Sequence, residues 1–230
     1  MDTEYYHIHR SLIDTGHFTE EQENLLLKIT QVESGFSFLS SLFIIISFLR
    51  FKKLRKFSFT LVVMLSFSDM GCCVSYFMGN PTSSTTLCTF QGFLQTFFEL
   101  SSLLWVTLIA WTLWRKVVLQ RDSRQDLVKY SVFSFGISLI AAILPLTTSS
   151  YGSAGGWCWI TSTGNNVFNK GNLWRFCLFY FPLWFVIFFN FVSYVWVIRS
   201  VRRLMTTQPV ESHHKYDKMM RRLKCYPVIL

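Results

Sequence analysis

The chain has 230 residues, of which 51% are hydrophobic, 18% aromatic and 15% charged. Soluble domains carry about 25% charged residues, and here long apolar stretches alternate with short basic ones, so the composition excludes an ordinary soluble domain and indicates a polytopic membrane protein. The net charge of +9 does not point to nucleic acid, because the basic residues lie in short loops where membrane orientation accounts for them.

The first 28 residues form an acidic tail. The opening "MDTEYYHIHR" has no apolar core of the kind that a secretory signal peptide needs, so the first span is expected to act as the signal. Within "TEEQENLLLKI", Thr19 has the position of an N-cap and Gln22 follows three residues later, which predicts a short helix leading into the first span. A solvated tail without structure is the alternative.

Five segments reach the length of about 20 mainly apolar residues that a membrane-spanning helix needs. They are residues 29–49, 58–78, 88–114, 128–146 and 173–197. Barrel strands are shorter and alternate in polarity, so these segments are helices. The sequence therefore predicts an all-α membrane protein with a five-helix bundle at residues 29–198 and the start of a sixth helix at residues 225–230.

The loops differ sharply in charge and predict the orientation. Basic residues crowd the loops after the first, third and fifth spans, where Arg55, Arg121 and Arg203 lie. The alternate loops hold only Lys170, with Arg175 just inside the fifth span. Positively charged loops stay in the cytoplasm, so we expect the tail at residues 1–28 to be extracellular and residues 199–224 to form a cytoplasmic loop.

The six cysteines separate by compartment under this orientation. Cys88, at the outer end of the third span, and Cys158, in the following outer loop, face the oxidising side. The other four lie within spans or on the cytoplasmic side: Cys72, Cys73, Cys177 and Cys225. We therefore predict a disulfide between Cys88 and Cys158 that folds the outer loop over the mouth of the bundle.

Several motifs follow one another in order from about residue 34 to the end of the chain. They are "LRKFSF", "LSFSDM", "CTFQGF", "LLWVTLIAWTL", "GWCW", "FYFPLW" and the terminal "YPVIL". Jointly they resemble the cyclic-AMP-receptor class of G-protein-coupled receptors, which is near the secretin-like class. The third span ends in "LWRKVV" rather than in the Asp-Arg-Tyr type of signature, which disfavours the rhodopsin-like class.

The resemblance implies a seven-helix receptor of the plasma membrane. Its implied partners are a heterotrimeric G protein, an extracellular ligand with a cyclic nucleotide as one candidate, membrane lipid and a receptor oligomer. Activation in this fold moves helix six outward at the inner face. Because only the start of that helix is present, we expect the 230-residue chain to be impaired in signalling.

Two acidic residues lie deep inside the predicted spans. Asp69 and Glu99 each come 11 residues after a span begins, at residues 58 and 88, which is about 16 Å into the bilayer. A charge there costs at least about 2.5 kcal/mol. We expect the two carboxyls to face each other with at least one protonated, and Asp69 and Asn190 to belong to a polar network, a role that the resemblance implies for Asp69.

Two further groups of side chains are candidates for binding. Glu99, Trp157, Trp159 and Arg175 are candidates for a ligand pocket, with Arg175 as the partner of an anionic group; an interfacial aromatic belt with a snorkelling arginine is the alternative. Arg55, Arg121 and Arg203 are candidates for the surface that faces the G protein. Loop charge that only sets topology and touches anionic lipid is the alternative there.

No motif indicates catalysis, so we predict that the chain is not an enzyme and uses no cofactor. No phosphate-binding loop or nucleophile elbow occurs, and the adjacent His213 and His214 do not make a metal site without further ligands. Two other functions stay open besides the receptor. One is a non-signalling interaction partner of a full-length receptor, and the other is a membrane transporter or channel.

Overall fold

The computed structural model describes residues 20–81, 84–121, 126–161 and 169–207, and it contains five helices that are long and apolar enough to cross a membrane. The first four are α1 (Glu20–Arg50), α2 (Phe57–Phe77), α3 (Thr85–Val118) and α4 (Leu127–Thr147). The fifth consists of α5 (Lys170–Arg175), a π-helical segment (Phe176–Tyr180) and α6 (Phe181–Thr207). The predicted all-α membrane bundle is confirmed, while the predicted start of helix six lies outside the described residues.

Helices α2 and α4 end within one residue of the predicted spans, whereas the other membrane helices extend beyond the spans predicted for them. Helix α1 begins at Glu20, within the predicted tail and directly after the proposed N-cap Thr19, which lies outside the described part of the chain. Helix α3 has 34 residues and is therefore about 51 Å long. It is longer than the bilayer core of about 30 Å, so it must tilt or project from the membrane.

Two short strands lie between α4 and α5, a feature that the sequence did not predict. Strands β1 (Tyr151–Ser153) and β2 (Cys158–Ile160) pair antiparallel, with Gly152 opposite Trp159. We call the end of the bundle that carries this hairpin the hairpin end. The opposite end carries the basic loops, including residues 50–56, and is called the basic end.

Helix α3 is the centre of the bundle, because it packs against α2, α4 and α6, while α1 packs mainly against α2. Small polar residues make the close contacts between helices. The fully buried hydroxyls of Ser68 on α2 and Ser101 on α3 lie 3.0 Å apart, and the Ser134 hydroxyl of α4 donates to the Ser101 carbonyl at 3.3 Å. Such small residues let membrane helices approach closely.

Large apolar side chains mostly point outward, in the opposite sense to a soluble protein. Phe36, Phe43, Trp184 and Phe188 are each more than 65% exposed. Lipid is as apolar as these side chains, so their exposure costs nothing in a bilayer. Trp105 is the main exception, since it is fully buried in a cluster with Leu61.

Candidate functional site

The hairpin is covalently attached to α3. Cys88 in the first turn of α3 forms a disulfide with Cys158 in β2, and both residues are buried. The predicted pairing is therefore confirmed. The bond therefore links β2 covalently to the first turn of α3.

Gln91, one turn after Cys88, reinforces this attachment from a fully buried position. Its side-chain amide donates to the carbonyls of Ser75 and Gly79 at 2.8 Å each, and its carbonyl accepts from the Cys158 backbone N–H at 3.1 Å. The last carbonyls of a helix have no partner within the helix. Gln91 thus caps the C-terminus of α2 and fastens β2 at the same time.

The end of α2 has the backbone geometry that this cap requires. Gly79 lies in the left-handed region with φ of 69° and its N–H donates to the Tyr76 carbonyl at 3.1 Å. In such a motif a second backbone N–H usually donates to the carbonyl of the preceding residue, here Ser75. The Gln91 side chain donates to the Ser75 carbonyl at this position. No sequence pattern distinguishes Gln91 from its neighbours, although it lies in the motif "CTFQGF".

Tyr151 in β1 anchors the other strand. Its hydroxyl donates to the Ala142 carbonyl of α4 at 2.9 Å, and its ring packs on Gly92, where an added Cβ would lie 2.6 Å from a ring atom. Burial raises the pKa of Tyr151 to about 12, while a hydrogen bond to Thr96 acts in the opposite direction. The hairpin is therefore seated on both α3 and α4.

The two tryptophans beside Cys158 contact different helices. The Trp157 ring lies 5.6 Å from the Tyr76 ring of α2, edge to face. Trp159 lies 5.4 Å from the Phe179 ring and beneath the Arg175 guanidinium, also at 5.4 Å. Both indole N–H groups are buried, and neither has a hydrogen-bond partner among the residues that the structure describes.

Arg175 is held in place by a backbone contact as well as by Trp159. Its Nε donates to the Ile160 carbonyl of β2 at 2.6 Å. The two terminal nitrogens of the guanidinium take no part in that hydrogen bond. The contact brings the top of the fifth span against the hairpin. The predicted pocket residues Trp157, Trp159 and Arg175 are thus all placed at the hairpin end, and their role in binding stays a prediction.

Glu99 lies deeper, in a triangle of hydrogen bonds between α2 and α3. The Tyr76 hydroxyl donates to Glu99 Oε1 at 3.0 Å. The Gln95 side-chain amide donates to the Tyr76 oxygen at 2.8 Å and to the same Glu99 oxygen at 3.0 Å. Since Tyr76 also touches Trp157, one chain of contacts joins the hairpin to a carboxyl inside the membrane.

Asp69 and Glu99 lie on the same interface but have separate partners. Asp69 accepts from the Ser102 hydroxyl at 2.7 Å, and Ser102 comes three residues after Glu99 on α3, a rise of about 4.5 Å along the helix. The expectation that the two carboxyls face each other with at least one protonated stays a prediction. Asn190 donates to the Val186 carbonyl of its own helix at 2.8 Å, and no contact among the described residues joins it to Asp69.

The basic end contains an ion pair that sequence analysis did not identify. Arg115, in the last turn of α3, donates to Asp126 at 2.8 Å and to the Tyr130 hydroxyl of α4 at 3.1 Å. Lys129 lies 3.6 Å from the same carboxyl. The hydrogen bond from Arg115 is the main reason why the pKa of Asp126 is lowered. The sequence signal for this ion pair was the presence of opposite charges, Arg115 before and Asp126 after the short loop between α3 and α4.

The three predicted G-protein-facing arginines all lie at the basic end. Arg55 donates to the Leu49 carbonyl at 2.7 Å and so caps the end of α1. Arg121 and Arg203 are exposed at the ends of α3 and α6. Contact with a G protein stays a prediction for each of them.

Comparisons with known proteins agree over most of the chain. Residues 17–224 match the family described as slime mold cyclic AMP receptor. The chain is 35% identical over 223 residues to "G-protein coupled receptor 1" of Arabidopsis thaliana, covering 94% of this chain and 67% of that protein. It is 33% identical over 179 residues to "Cyclic AMP receptor-like protein A" of Dictyostelium discoideum, covering 77% and 46%.

The fold has a close counterpart among solved structures. The crystal structure of squid rhodopsin superposes with a TM-score of 0.64 at 15% identity, covering 83% of this chain and 55% of that chain. At that identity the likeness concerns the fold alone. The chain spans about half to two thirds of the length of these similar proteins.

Proposed function

Because this chain belongs to the slime mold cyclic AMP receptor family of G-protein-coupled receptors, we propose that its hairpin end binds an extracellular ligand and its basic end faces a heterotrimeric G protein. The distribution of charge supports this orientation, since Arg55, Arg121 and Arg203 lie at one end and would be cytoplasmic. The N-terminus and the hairpin would then be outside the cell, with the plasma membrane as the location.

One observation carries the proposal: the fastened hairpin is connected to the membrane interior through Trp157, Tyr76 and Glu99. A ligand that displaces Trp157 would disturb the hydrogen bonds around Glu99. Glu99 and Arg115 lie on the same unbroken helix, α3, so a shift or rotation of α3 would reach the basic end. Such coupling requires an element with two arrangements whose equilibrium both ends bias, and α3 is the element that we propose.

The ligand that fits the hairpin end has an anionic group and a flat ring. Arg175 offers terminal guanidinium nitrogens for a phosphate oxygen, and the tryptophan rings offer faces for stacking. A cyclic nucleotide has both features, and two Dictyostelium discoideum relatives of this chain are named "Cyclic AMP receptor-like protein A" and "Cyclic AMP receptor 2". We therefore propose a cyclic nucleotide as the ligand.

Binding of labelled cyclic AMP to membranes that contain the chain tests the ligand. We expect saturable binding to the wild type and a loss of at least about tenfold in affinity for Arg175→Ala, which corresponds to one charge-assisted hydrogen bond. Lys170→Ala is the matched control, because Lys170 lies on the same short helix and is exposed. Equal binding by both variants, or none by the wild type, would contradict the proposed ligand.

Nucleotide exchange by a reconstituted G protein tests the signalling step separately. The expected impairment of the 230-residue chain stays a prediction, because the predicted start of helix six at residues 225–230 lies outside the described residues. Exchange that is absent with this chain alone and appears with a chain extended to the length of the relatives would support the receptor function. Exchange absent from both, together with co-purification with a full-length receptor, would favour the non-signalling partner.

A further inference from the structure

We propose that Glu99 and Gln95 form a binding site for a small monovalent cation between α2 and α3, on the membrane side of Trp157. The occupant is a group such as Na⁺ or a primary ammonium. The grounds for this site are hydrogen bonds and charge within the bundle, and they do not rest on the proposed cyclic nucleotide or on G-protein coupling.

The hydrogen bonds of this cluster leave acceptors without donors. Both hydrogens of the Gln95 amide are used, one by Tyr76 and one by Glu99, and the Tyr76 hydroxyl is used by Glu99. Gln95 is only 2% exposed, and its Oε1 has no hydrogen-bond partner in the described part of the chain. The second oxygen of Glu99 makes no hydrogen bond within the described residues. A buried acceptor without a donor costs about 1–3 kcal/mol, so a donor or a cation is the missing partner.

The amide orientation of Gln95 is supported by its neighbours. Turning the amide over would place Oε1 against the Glu99 carboxyl and would replace an attractive contact with a repulsive one. The unpartnered atom is therefore an oxygen. It belongs to the same amide that binds Glu99, so both unpaired acceptors lie within one small cluster.

An ionised Glu99 would have no compensating charge within the cluster. Residues 57–114, which include all of α2 and most of α3, contain Asp69 and Glu99 but no Lys, Arg or His. Glu33 of α1 adds a further negative charge within electrostatic range of Tyr76. An ionised carboxyl within the membrane normally has a partner of opposite charge, and no side chain of residues 57–114 supplies one.

The ligand set selects the class of cation. The described part of the chain holds no group of three or more His, Cys, Asp or Glu residues that could bind a metal ion. Divalent cations usually take several carboxylates, whereas this site offers one carboxylate and one amide oxygen, with the Tyr76 oxygen nearby. This small set of oxygen ligands, with a single negative charge, matches a monovalent cation.

Thermal unfolding of the purified 230-residue chain in detergent tests the site. The chloride salts of sodium, potassium, methylammonium and the bulky N-methylglucamine are compared at equal ionic strength. A small cation at ten times its dissociation constant should raise the melting temperature by about 3–6 °C over N-methylglucamine. A shift with sodium identifies an alkali metal site, and a shift with methylammonium alone identifies an amine site.

Glu99→Gln should abolish this shift, while Asp69→Asn should keep it, because Asp69 has its own partner in Ser102. Gln95→Glu adds a second carboxylate and should enlarge the shift, which provides a gain of binding if Glu99→Gln does not fold. The inference is overturned if the wild type shows no shift, if Glu99→Gln keeps it, or if Gln95→Glu does not enlarge it.

Discussion

Replacing Gln91 by leucine removes three hydrogen bonds without a large change in side-chain volume. The carbonyls of Ser75 and Gly79 and the N–H of Cys158 each lose their side-chain partner. A buried group that loses its partner costs about 1–3 kcal/mol, whereas hydrogen bonds between membrane helices average about 0.6 kcal/mol. The three bonds together place the loss of unfolding free energy at about 2–9 kcal/mol.

The melting temperature of purified protein in detergent measures this loss. For a chain of this length each kcal/mol lowers the midpoint by about 2–4 °C, so Gln91→Leu should melt at least about 4 °C below the wild type. Gln120→Leu is the control for the same chemical change, because Gln120 is exposed in the loop after α3. That control should melt within about 1 °C of the wild type, as surface substitutions usually do.

Gln91→Glu separates the two roles of the side chain. It keeps an acceptor for the Cys158 N–H but places a carboxylate against the carbonyls of Ser75 and Gly79. It should therefore be less stable than Gln91→Leu at neutral pH and should recover partly in acid, where the carboxyl regains one donor. A Gln91→Leu protein that melts with the wild type would show that the cap and the hairpin do not depend on this side chain.

Three further outcomes are expected from melting curves. The double substitution Cys88→Ala and Cys158→Ala removes a disulfide that joins residues 70 positions apart. It should lower the free energy of unfolding by up to about 4 kcal/mol, and the melting curve should no longer change when reductant is added. Burial raises the pKa of Tyr151 from 10.0 to about 12, so stability should be full below pH 10 and fall towards pH 12 as the unfolded phenol ionises first; Tyr151→Phe should remove that fall. The hydrogen bond from Arg115 lowers the pKa of Asp126 from 3.8, so its stabilisation is present above pH 3.8 and is lost as the pH falls through the folded value. The Asp126→Asn protein should not show this loss of stability in acid. At neutral pH, added salt should reduce the difference in melting temperature between wild type and Asp126→Asn, because the ion pair is partly exposed.

The number and location of the membrane helices were predictable because bilayer thickness imposes a length on any apolar segment. Helix α2 at Phe57–Phe77 and α4 at Leu127–Thr147 differ from the predicted spans by one residue at each end. The disulfide was predictable for a related reason, since the orientation left only Cys88 and Cys158 on the oxidising side. Both inferences use local composition and topology, which a single sequence displays.

The hydrogen-bond partners were not predictable, because they depend on how each helix is rotated about its axis. Counting residues placed Asp69 and Glu99 at equal depth, but a helix turns by about 100° per residue, and the neighbour of Asp69 is Ser102. Gln91 meets a strand residue 67 positions away. No periodic pattern indicates such a contact, and the hairpin itself is only three residues per strand.

The separation of 70 residues between Cys88 and Cys158 has a consequence for the synthesis of the protein. Chains grow at about 5–20 residues per second, so roughly 4–14 s pass between the emergence of the two cysteines. Helices α3 and α4 must both be inserted during that interval, while Cys88 is a free thiol and Gln91 lacks the Cys158 N–H. A translational pause between the two codons would prolong the period in which Cys88 can pair with another chain, so the rate of elongation there governs the yield of correctly bridged protein.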